Sequence, residues 1–277
     1  SLANVLVTGG AGFIGGNFVH YWNAKHPEDR VIVLDALTYA GNRSTLEGAP
    51  NAELVEGDIR DTDLVERLLR EHGITTLVHF AAESHVDRSI SGPMAFLETN
   101  IMGTASLLSA CRTVWMEQGG FEGKLALVAP RLARDATCGA TNVTVYGDLS
   151  VVGRRSTFKG PVRFADFVCG TMSGKTANIS LDASIAEDMA DWRGKSAVRL
   201  LSSAMPGVKI SGIEAQVDFR GDARKTDADV DIVAGTLAAA DMTASRIRLS
   251  GKATLGERGT IFSGQVRAAR IFTGGLT

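Results

Sequence analysis

The chain has 277 residues, of which 44% are hydrophobic and 22% charged, and this composition excludes disordered and collagen-like proteins. A formal net charge of −2 offers no basic surface for nucleic acid, so no nucleic-acid partner is expected. No run of about 18 apolar residues occurs, and the first residues lack a signal-peptide pattern, so we expect no transmembrane segment. The three cysteines have no CxxC spacing, which argues against a disulfide framework or a structural zinc site, and no metal is expected. They are Cys111, Cys138 and Cys169.

The charge is unevenly distributed along the chain. Residues 1–123 contain eight Lys and Arg against sixteen Asp and Glu, whereas residues 124–277 contain twenty-one against fifteen. All five histidines lie in the first part. This asymmetry, together with a change of hydrophobic period, predicts two domains with a boundary between residues 123 and 124.

The first part alternates strand and helix patterns. Short apolar runs of strand length are separated by helical patterns, which indicates a parallel sheet with right-handed crossovers. The predicted strands are Asn4–Thr8, Val31–Leu34, Glu53–Glu56 and Leu77–Phe80, and the predicted helices run to about Lys25, over Thr62–Glu71, and from about Met94 to Met116.

A glycine-rich loop follows the first strand and precedes the first helix. Gly9 permits a tight turn, Gly12 lets the backbone approach a pyrophosphate, and Gly15 lets the helix pack closely. Asp35 ends the second strand 20 residues after Gly15, where an acid accepts hydrogen bonds from ribose hydroxyls and repels a 2′-phosphate. The pattern therefore predicts a dinucleotide site that prefers NAD to NADP; a purely structural strand–turn–helix is the alternative.

The second part shows the period of two that is typical of strands. Ile213, Ala215, Val217 and Phe219 alternate with polar residues, and similar short segments recur between Gly and Asp turns. Only 183–192 has a helical pattern. We therefore predict an α/β fold class, with the N-terminal half of a Rossmann-type parallel sheet followed by a mainly β segment, either a meander, a sandwich or an open sheet.

Specific motifs of the first part resemble a known family. The loop TGGAGFIG at 8–15, LDALTYAGN at 34–42, GDIRD at 57–61 and HFAAESHVDRS at 79–89 are similar to those of the dTDP-glucose 4,6-dehydratases, which are extended short-chain dehydrogenases/reductases. TNIMGT at 99–104 fits the same family. The resemblance covers residues 3–123 and implies an NAD cofactor, a nucleotide-sugar partner of the dTDP-glucose type and a cytoplasmic location.

The resemblance also implies roles for single residues. Ser84 and His85 would face the sugar nucleotide, whereas His79 is expected to be a buried strand residue without a catalytic role. The implied cofactor-binding residues are Gly9, Gly12, Phe13, Ile14, Gly15, Asp35, Thr38, Asp58, Ile59, Ala81, Ala82, Glu83 and Thr99.

The catalytic residues of that family are not found. The family needs a Y-x-x-x-K pair and a Thr-Asp-Glu set, and the chain instead reads LALVAPRL at 125–132. Tyr21 and Lys25 have the required spacing, but they lie at the far end of the first helix, and Tyr146 has Ser150 in place of the lysine. We expect the front half to bind NAD without turnover; an active dehydratase using substitute residues is the minority alternative.

The second part does not continue that family. Residues 124–277 resemble the β-rich repeats of AsmA-like envelope proteins in their pattern of residues. This resemblance implies the competing hypothesis, a β-rich binding or structural protein that handles lipid and is located in the envelope. The chain thus has the character of a chimera with a junction near 121–125, produced by fusion, gene rearrangement or an error in the sequence. Residues 125–129 are apolar enough to serve as a fifth strand of the parallel sheet. The sequence leaves the oligomeric state open.

Overall fold

The computed structural model describes residues 2–39, 41–81, 102–133, 137–256 and 259–274. The chain divides into two compact units, Ser1–Gly119 and Gly120–Thr277. We call them the front unit and the sheet unit. The fold class predicted from the sequence, a Rossmann-type half followed by a mainly β segment, is confirmed.

The front unit is a parallel sheet flanked by helices. Its four described strands have the order β3-β2-β1-β4, which is the first half of a dinucleotide-binding fold. The strand order reverses between β1 and β4, so a crevice opens at the carboxyl ends of these two strands. The elements are β1 (Asn4–Thr8), α1 (Phe13–Lys25), β2 (Arg30–Asp35), a short 3₁₀ helix (Arg43–Leu46), β3 (Ala52–Glu56), α2 (Thr62–Glu71), β4 (Thr76–His79) and α3 (Gly103–Glu117).

Strands β1 and β2 are buried on both faces because apolar residues occupy every central position. Leu6 and Ile32 pack towards α2 and α3, whereas Val5, Val7 and Val31 pack on the opposite side towards α1. All five side chains are fully buried. This two-sided core explains why these strands read as unbroken apolar runs. The predicted strands and the first two helices are confirmed; residues 94–101 of the third predicted helix lie outside the described residues.

The sheet unit is one antiparallel meander. Its nine described strands are hydrogen-bonded in chain order, from β5 at one edge to β13 at the other. Each has 13 to 15 residues, far longer than the alternating segments read from the sequence. The strands are β5 (Phe121–Ala133), β6 (Cys138–Val152), β7 (Arg155–Cys169), β8 (Met172–Ala186), β9 (Trp192–Met205), β10 (Val208–Gly221), β11 (Lys225–Ala239), β12 (Met242–Gly256) and β13 (Gly259–Thr273).

Two sequence-based expectations about this region are wrong. Residues 125–129 do not extend the parallel sheet, because Leu125 and Ala129 lie in β5 and pair antiparallel with Gly147 and Val143 of β6. Residues 183–192 are not a helix but the end of β8, a turn and the start of β9. In both cases the long antiparallel neighbour satisfies the backbone hydrogen bonds, and this pairing overrides the local pattern.

A line of left-handed backbone residues crosses the sheet. Asn142, Thr176, Gly212 and Arg246 have φ between +49° and +62°, and they lie on every second strand from β6 to β12. In β10 the half-buried residues Val208 and Ile210 fall on even positions, whereas from Ser211 onwards the buried and half-buried residues fall on odd positions. The left-handed residue thus keeps the apolar side chains on one face, a shift that strict alternation does not predict.

The cysteines differ from the expectation. Cys138 and Cys169 face each other in the pairing of β6 with β7 and form a disulfide bond. The argument against a disulfide framework was therefore wrong for this pair. Sequence spacing failed because the two residues are 31 positions apart and meet only through strand register.

Candidate cofactor-binding site

The glycine loop, residues 9–15, connects β1 to α1 at the crevice. Gly9 has φ +68°, and a Cβ there would lie 2.5 Å from the backbone nitrogen of Ala81, just beyond β4. A Cβ on Gly15 would lie 2.1 Å from the carbonyl oxygen of Gly9. Both positions therefore exclude a side chain. Gly9 does so because the chain turns tightly there, and Gly15 does so because the helix packs closely against the loop. Gly12 is the N-cap residue of α1 and has an extended φ of −81°.

The start of α1 is open to a ligand. The N-cap residue of the helix is Gly12, which has no side chain. The N–H groups of the first turn therefore receive no side-chain cap. Phe13 and Ile14 are 85% and 68% exposed, which is unusual for large apolar side chains next to a backbone loop. Uncapped helix N–H groups attract anions.

Asp35 joins the second strand to the loop. Its carboxylate accepts hydrogen bonds from the backbone N–H groups of Ala11 and Leu37, both at 2.9 Å. Each oxygen accepts one of these bonds and retains a second lone pair. The side chain therefore holds the loop in place, while Thr38 lies exposed after it.

Asp58 and Ile59 follow β3, at the same edge of the sheet. Asp58 pairs with Arg60, with 2.6 Å between carboxylate and guanidinium, and this hydrogen bond lowers the pKa of Asp58. Ile59 is buried, and its side chain occupies the space that a Cβ on Gly103 would need. The Ile59 side chain is thus part of the core, so only its backbone is available to a ligand.

A polar network behind the crevice was missed by sequence reasoning. His79, at the end of β4, lies with Nδ1 2.6 Å from the Thr8 hydroxyl and Nε2 3.0 Å from the Thr104 hydroxyl. Burial lowers the pKa of His79, so the neutral imidazole is favoured. His79 is a strand residue as expected, and its side chain is half-buried. Its two hydroxyl partners come from β1 and α3, and no local sequence signal connects them.

Several predicted residues lie outside the described part of the chain. Ala81 is described and is half-buried beside Gly9. The remaining nicotinamide-side and substrate residues stay predictions that rest on the resemblance alone. They are Ala82, Glu83, Ser84, His85 and Thr99.

The two tyrosines considered as catalytic candidates, Tyr21 and Tyr146, lie in different units. Tyr21 is 58% exposed and lies in the second half of α1, whose first turn borders the glycine loop. Tyr146 is a strand residue of β6 that faces Ala126, and it is 55% exposed. Among the described residues there is also no group of three or more His, Cys, Asp and Glu that could hold a metal.

Comparisons with known proteins agree with this geometry. Residues 6–125 match the family model described as GDP-mannose 4,6 dehydratase. A dTDP-glucose 4,6-dehydratase of Xanthomonas campestris is 57% identical over 117 residues, which cover 41% of this chain and 33% of that protein. One from Mycobacterium tuberculosis is 55% identical over 109 residues, with 39% and 32% covered. The front unit resembles the nucleotide-sugar dehydratases.

Solved structures give a similar result. DesIV, a dTDP-glucose 4,6-dehydratase from Streptomyces venezuelae with NAD and TYD bound, is 52% identical, with a TM-score of 0.38, and the match covers 40% of this chain and 36% of that one. The UDP-glucose 4-epimerase of Brucella ovis in complex with NAD is 35% identical, with a TM-score of 0.36 and coverage of 40% and 34%. The chain spans about one third of the length of the curated relatives that it matches. None of the described helices has the length and apolar character that a membrane crossing requires.

Proposed function

We propose that the front unit binds NAD in the crevice at the carboxyl ends of β1 and β4. The observation that carries this proposal is the glycine loop, in which Gly9 and Gly15 leave no room for a Cβ and the first turn of α1 has no side-chain cap. A pyrophosphate at this helix start would accept backbone N–H hydrogen bonds and neutralise the positive end of the helix dipole. The two solved structures named above contain NAD.

Asp35 and Thr38 would bind the adenosine ribose. The carboxylate of Asp35 is held by two backbone N–H groups and has lone pairs left for ribose hydroxyls. Its negative charge would repel the 2′-phosphate of NADP, so the site should prefer NAD. Asp58 and the backbone of Ile59 would lie beside the adenine.

The nicotinamide would lie towards β4. Ala81 is next to the turn at Gly9, and the resemblance extends the site to Ala82, Glu83 and Thr99, with Ser84 and His85 towards a nucleotide sugar. When bound, NAD supplies hydride transfer to and from a sugar. The neutral imidazole of His79 would hold the ends of β1 and β4 together through its two hydroxyl contacts, as a positioning residue.

Turnover of dTDP-glucose should be undetectable. A positioned general acid or base contributes about 10²–10⁴-fold. The chain has no Y-x-x-x-K pair at the position that the family uses and no Thr-Asp-Glu set, so the losses compound. Tyr146 cannot supply the missing base by itself, because Ser150 lacks the charge of a lysine. Product formation by the wild-type chain that is lost in Tyr146→Phe would show that this tyrosine acts as a base, and the inactivity proposal would be wrong.

Calorimetric titration of the full chain with NAD and with NADP tests the binding proposal. We expect NAD to bind and NADP to bind more weakly. Gly12→Val should abolish binding, because a side chain there blocks the pyrophosphate while the φ of −81° suits any residue. Absence of NAD binding, or equal binding by the Gly12→Val variant, would refute the proposal.

A further inference from the structure

The two faces of the sheet unit have opposite chemical character. On one face a row of charged residues crosses eight neighbouring strands, and four Lys–Asp ion pairs form along it. In three of these pairs the distance between the lysine nitrogen and the carboxylate oxygen lies between 3.4 and 4.0 Å. This face is exposed and solvated. In strand order the row is Lys124, Asp148, Lys159, Asp182, Lys195, Asp218, Asp229 and Lys252.

The opposite face contains a row that crosses all nine strands and has no polar atom in its side chains. One residue from each of the nine strands contributes, and every one is Leu, Val, Ile or Ala. We call this face, with the parallel rows beside it, the aliphatic face. The central row is Leu127, Val145, Val162, Ile179, Val198, Ala215, Ile232, Leu249 and Val266.

The flanking rows have the same character. The row through Phe158 and Phe219 consists of Gly, Ala, Leu and Phe on all nine strands. The row through Leu200 and Ile247 consists of Ala, Leu, Ile and Phe from β7 to β13, and Ala129 and Val143 pair with each other on β5 and β6. A fourth row, through Val217 and Val230, lies between the central row and the Phe219 row, and it contains the hydroxyl side chain of Ser196. No charged residue lies in these four rows, all of whose members are described residues.

Within the described residues of the sheet unit, no second layer covers this face. In the part of Gly120–Thr277 that the structure describes, every regular element is a strand of the same sheet, and the two edge strands do not pair with each other. Accordingly Ile232 and Leu249 are only half-buried, and Val266 and Phe262 at the β13 edge are 64% and 39% exposed.

The size of the face decides what can cover it. Nine strands about 4.8 Å apart and four rows along about 25 Å of strand give an area of roughly 1,000 Å². The largest apolar patch on a typical monomer is about 300–600 Å², whereas each partner in a standard protein interface buries about 800 Å². A single small ligand would leave most of the face in water, so a macromolecular surface is required.

We propose that the aliphatic face is a self-association surface, on which two copies of the chain pack face to face as a two-layer sandwich. An uncharged face meets its own copy without like-charge repulsion, and an isologous pair uses the same patch on both sides. The pair then exposes only its two charged faces to water. The layers would lie about 10 Å apart with interdigitated aliphatic side chains, as in other β-sandwiches. The aliphatic faces of both copies are then covered, so no third copy can add through this face.

Neighbouring residues of β11 provide a matched test. Ile232 lies in the central row of the aliphatic face, whereas Val233 is 40% exposed on the opposite face. Ile232→Glu would place a charge in the interface, and Val233→Glu makes an equivalent change on the solvated face. Sedimentation velocity of the full chain should give twice the 29.2 kDa chain mass for the wild type and for Val233→Glu, and a monomer for Ile232→Glu.

Two further measurements keep the proposal falsifiable if Ile232→Glu fails to fold. The wild type should dissociate to a monomer on dilution, and the smaller change Ile232→Ala should raise the dimer dissociation constant by more than tenfold while circular dichroism retains the strand signal. A wild type that is monomeric at all concentrations would overturn the proposal, whether or not extracted lipid or another protein accompanies it. A dimer that resists both substitutions at Ile232 would also overturn it.

Discussion

Replacing Gly15 by alanine tests how the glycine loop is built. The added Cβ would lie 2.1 Å from the carbonyl oxygen of Gly9 and 2.8 Å from the Cα of Gly10. Both contacts are with backbone, so the loop and the start of α1 must separate by about 1 Å, since N–H···O and van der Waals contacts tolerate only tenths of an ångström.

The magnitude follows from two opposing effects. Overpacking costs about 1–3 kcal/mol, and an alanine inside a helix recovers up to about 1 kcal/mol relative to glycine. We therefore expect a net loss of about 1–2 kcal/mol in the free energy of unfolding. A shift of about 1 Å also moves the loop N–H groups out of hydrogen-bonding range of a pyrophosphate. Hydrogen bonds to charged groups contribute about 1.5–3 kcal/mol each, so NAD affinity should fall more than about tenfold.

Urea unfolding and calorimetric NAD titration measure the two effects, with Gly16→Ala as the matched control. The Cβ of an alanine at Gly16 would meet the methyl group of Thr45 at 2.2 Å, while the nearest backbone atom, the carbonyl oxygen of Gly10, stays at 3.4 Å. A threonine side chain can rotate, so the loop should stay in place and NAD affinity should change less than about threefold. If Gly15→Ala binds NAD as well as the wild type does, the loop geometry does not determine binding and the reasoning is wrong.

Three further predictions concern other contacts. Asp35→Asn should reduce the preference for NAD over NADP, measured by calorimetry, because it removes the charge that repels the 2′-phosphate; an unchanged ratio of dissociation constants would contradict this. Because burial lowers the pKa of His79, the unfolded chain binds more protons than the folded chain as the pH falls below about 6.5. The free energy of unfolding is therefore highest above that pH and decreases as the pH falls towards the folded-state pKa. His79→Gln should flatten the dependence of the unfolding free energy on pH between 7.5 and 5.5, and an equally steep dependence in the variant would assign it to another group. Reduction of the Cys138–Cys169 bond, which closes a loop with a separation of 31 residues, should lower the stability of the sheet unit by about 3–4 kcal/mol, measured by urea unfolding with and without reductant; Cys138→Ser should lose its sensitivity to reductant.

The fold of the front unit could be predicted because its signals are local. Runs such as Val5–Val7 are apolar at consecutive positions since both faces of the sheet are covered, and this is visible in the sequence alone. The glycine loop is equally local, because the turn at Gly9 and the helix contact at Gly15 lie within seven residues. Its expected partner Asp35 indeed lies against the loop, through its bond to Ala11.

The tertiary structure decided everything that depends on which strands become neighbours. Leu125–Ala129 is apolar enough for either sheet, and only the long antiparallel ladder with β6 assigns it to the second one. His79 meets Thr8 and Thr104 because a parallel pairing and a packed helix bring them together from 71 and 25 residues away. The Cys138–Cys169 bond depends on register in the same way. Alternation along a strand shows that it has an apolar face, but only the register of nine strands shows that these faces form one continuous surface.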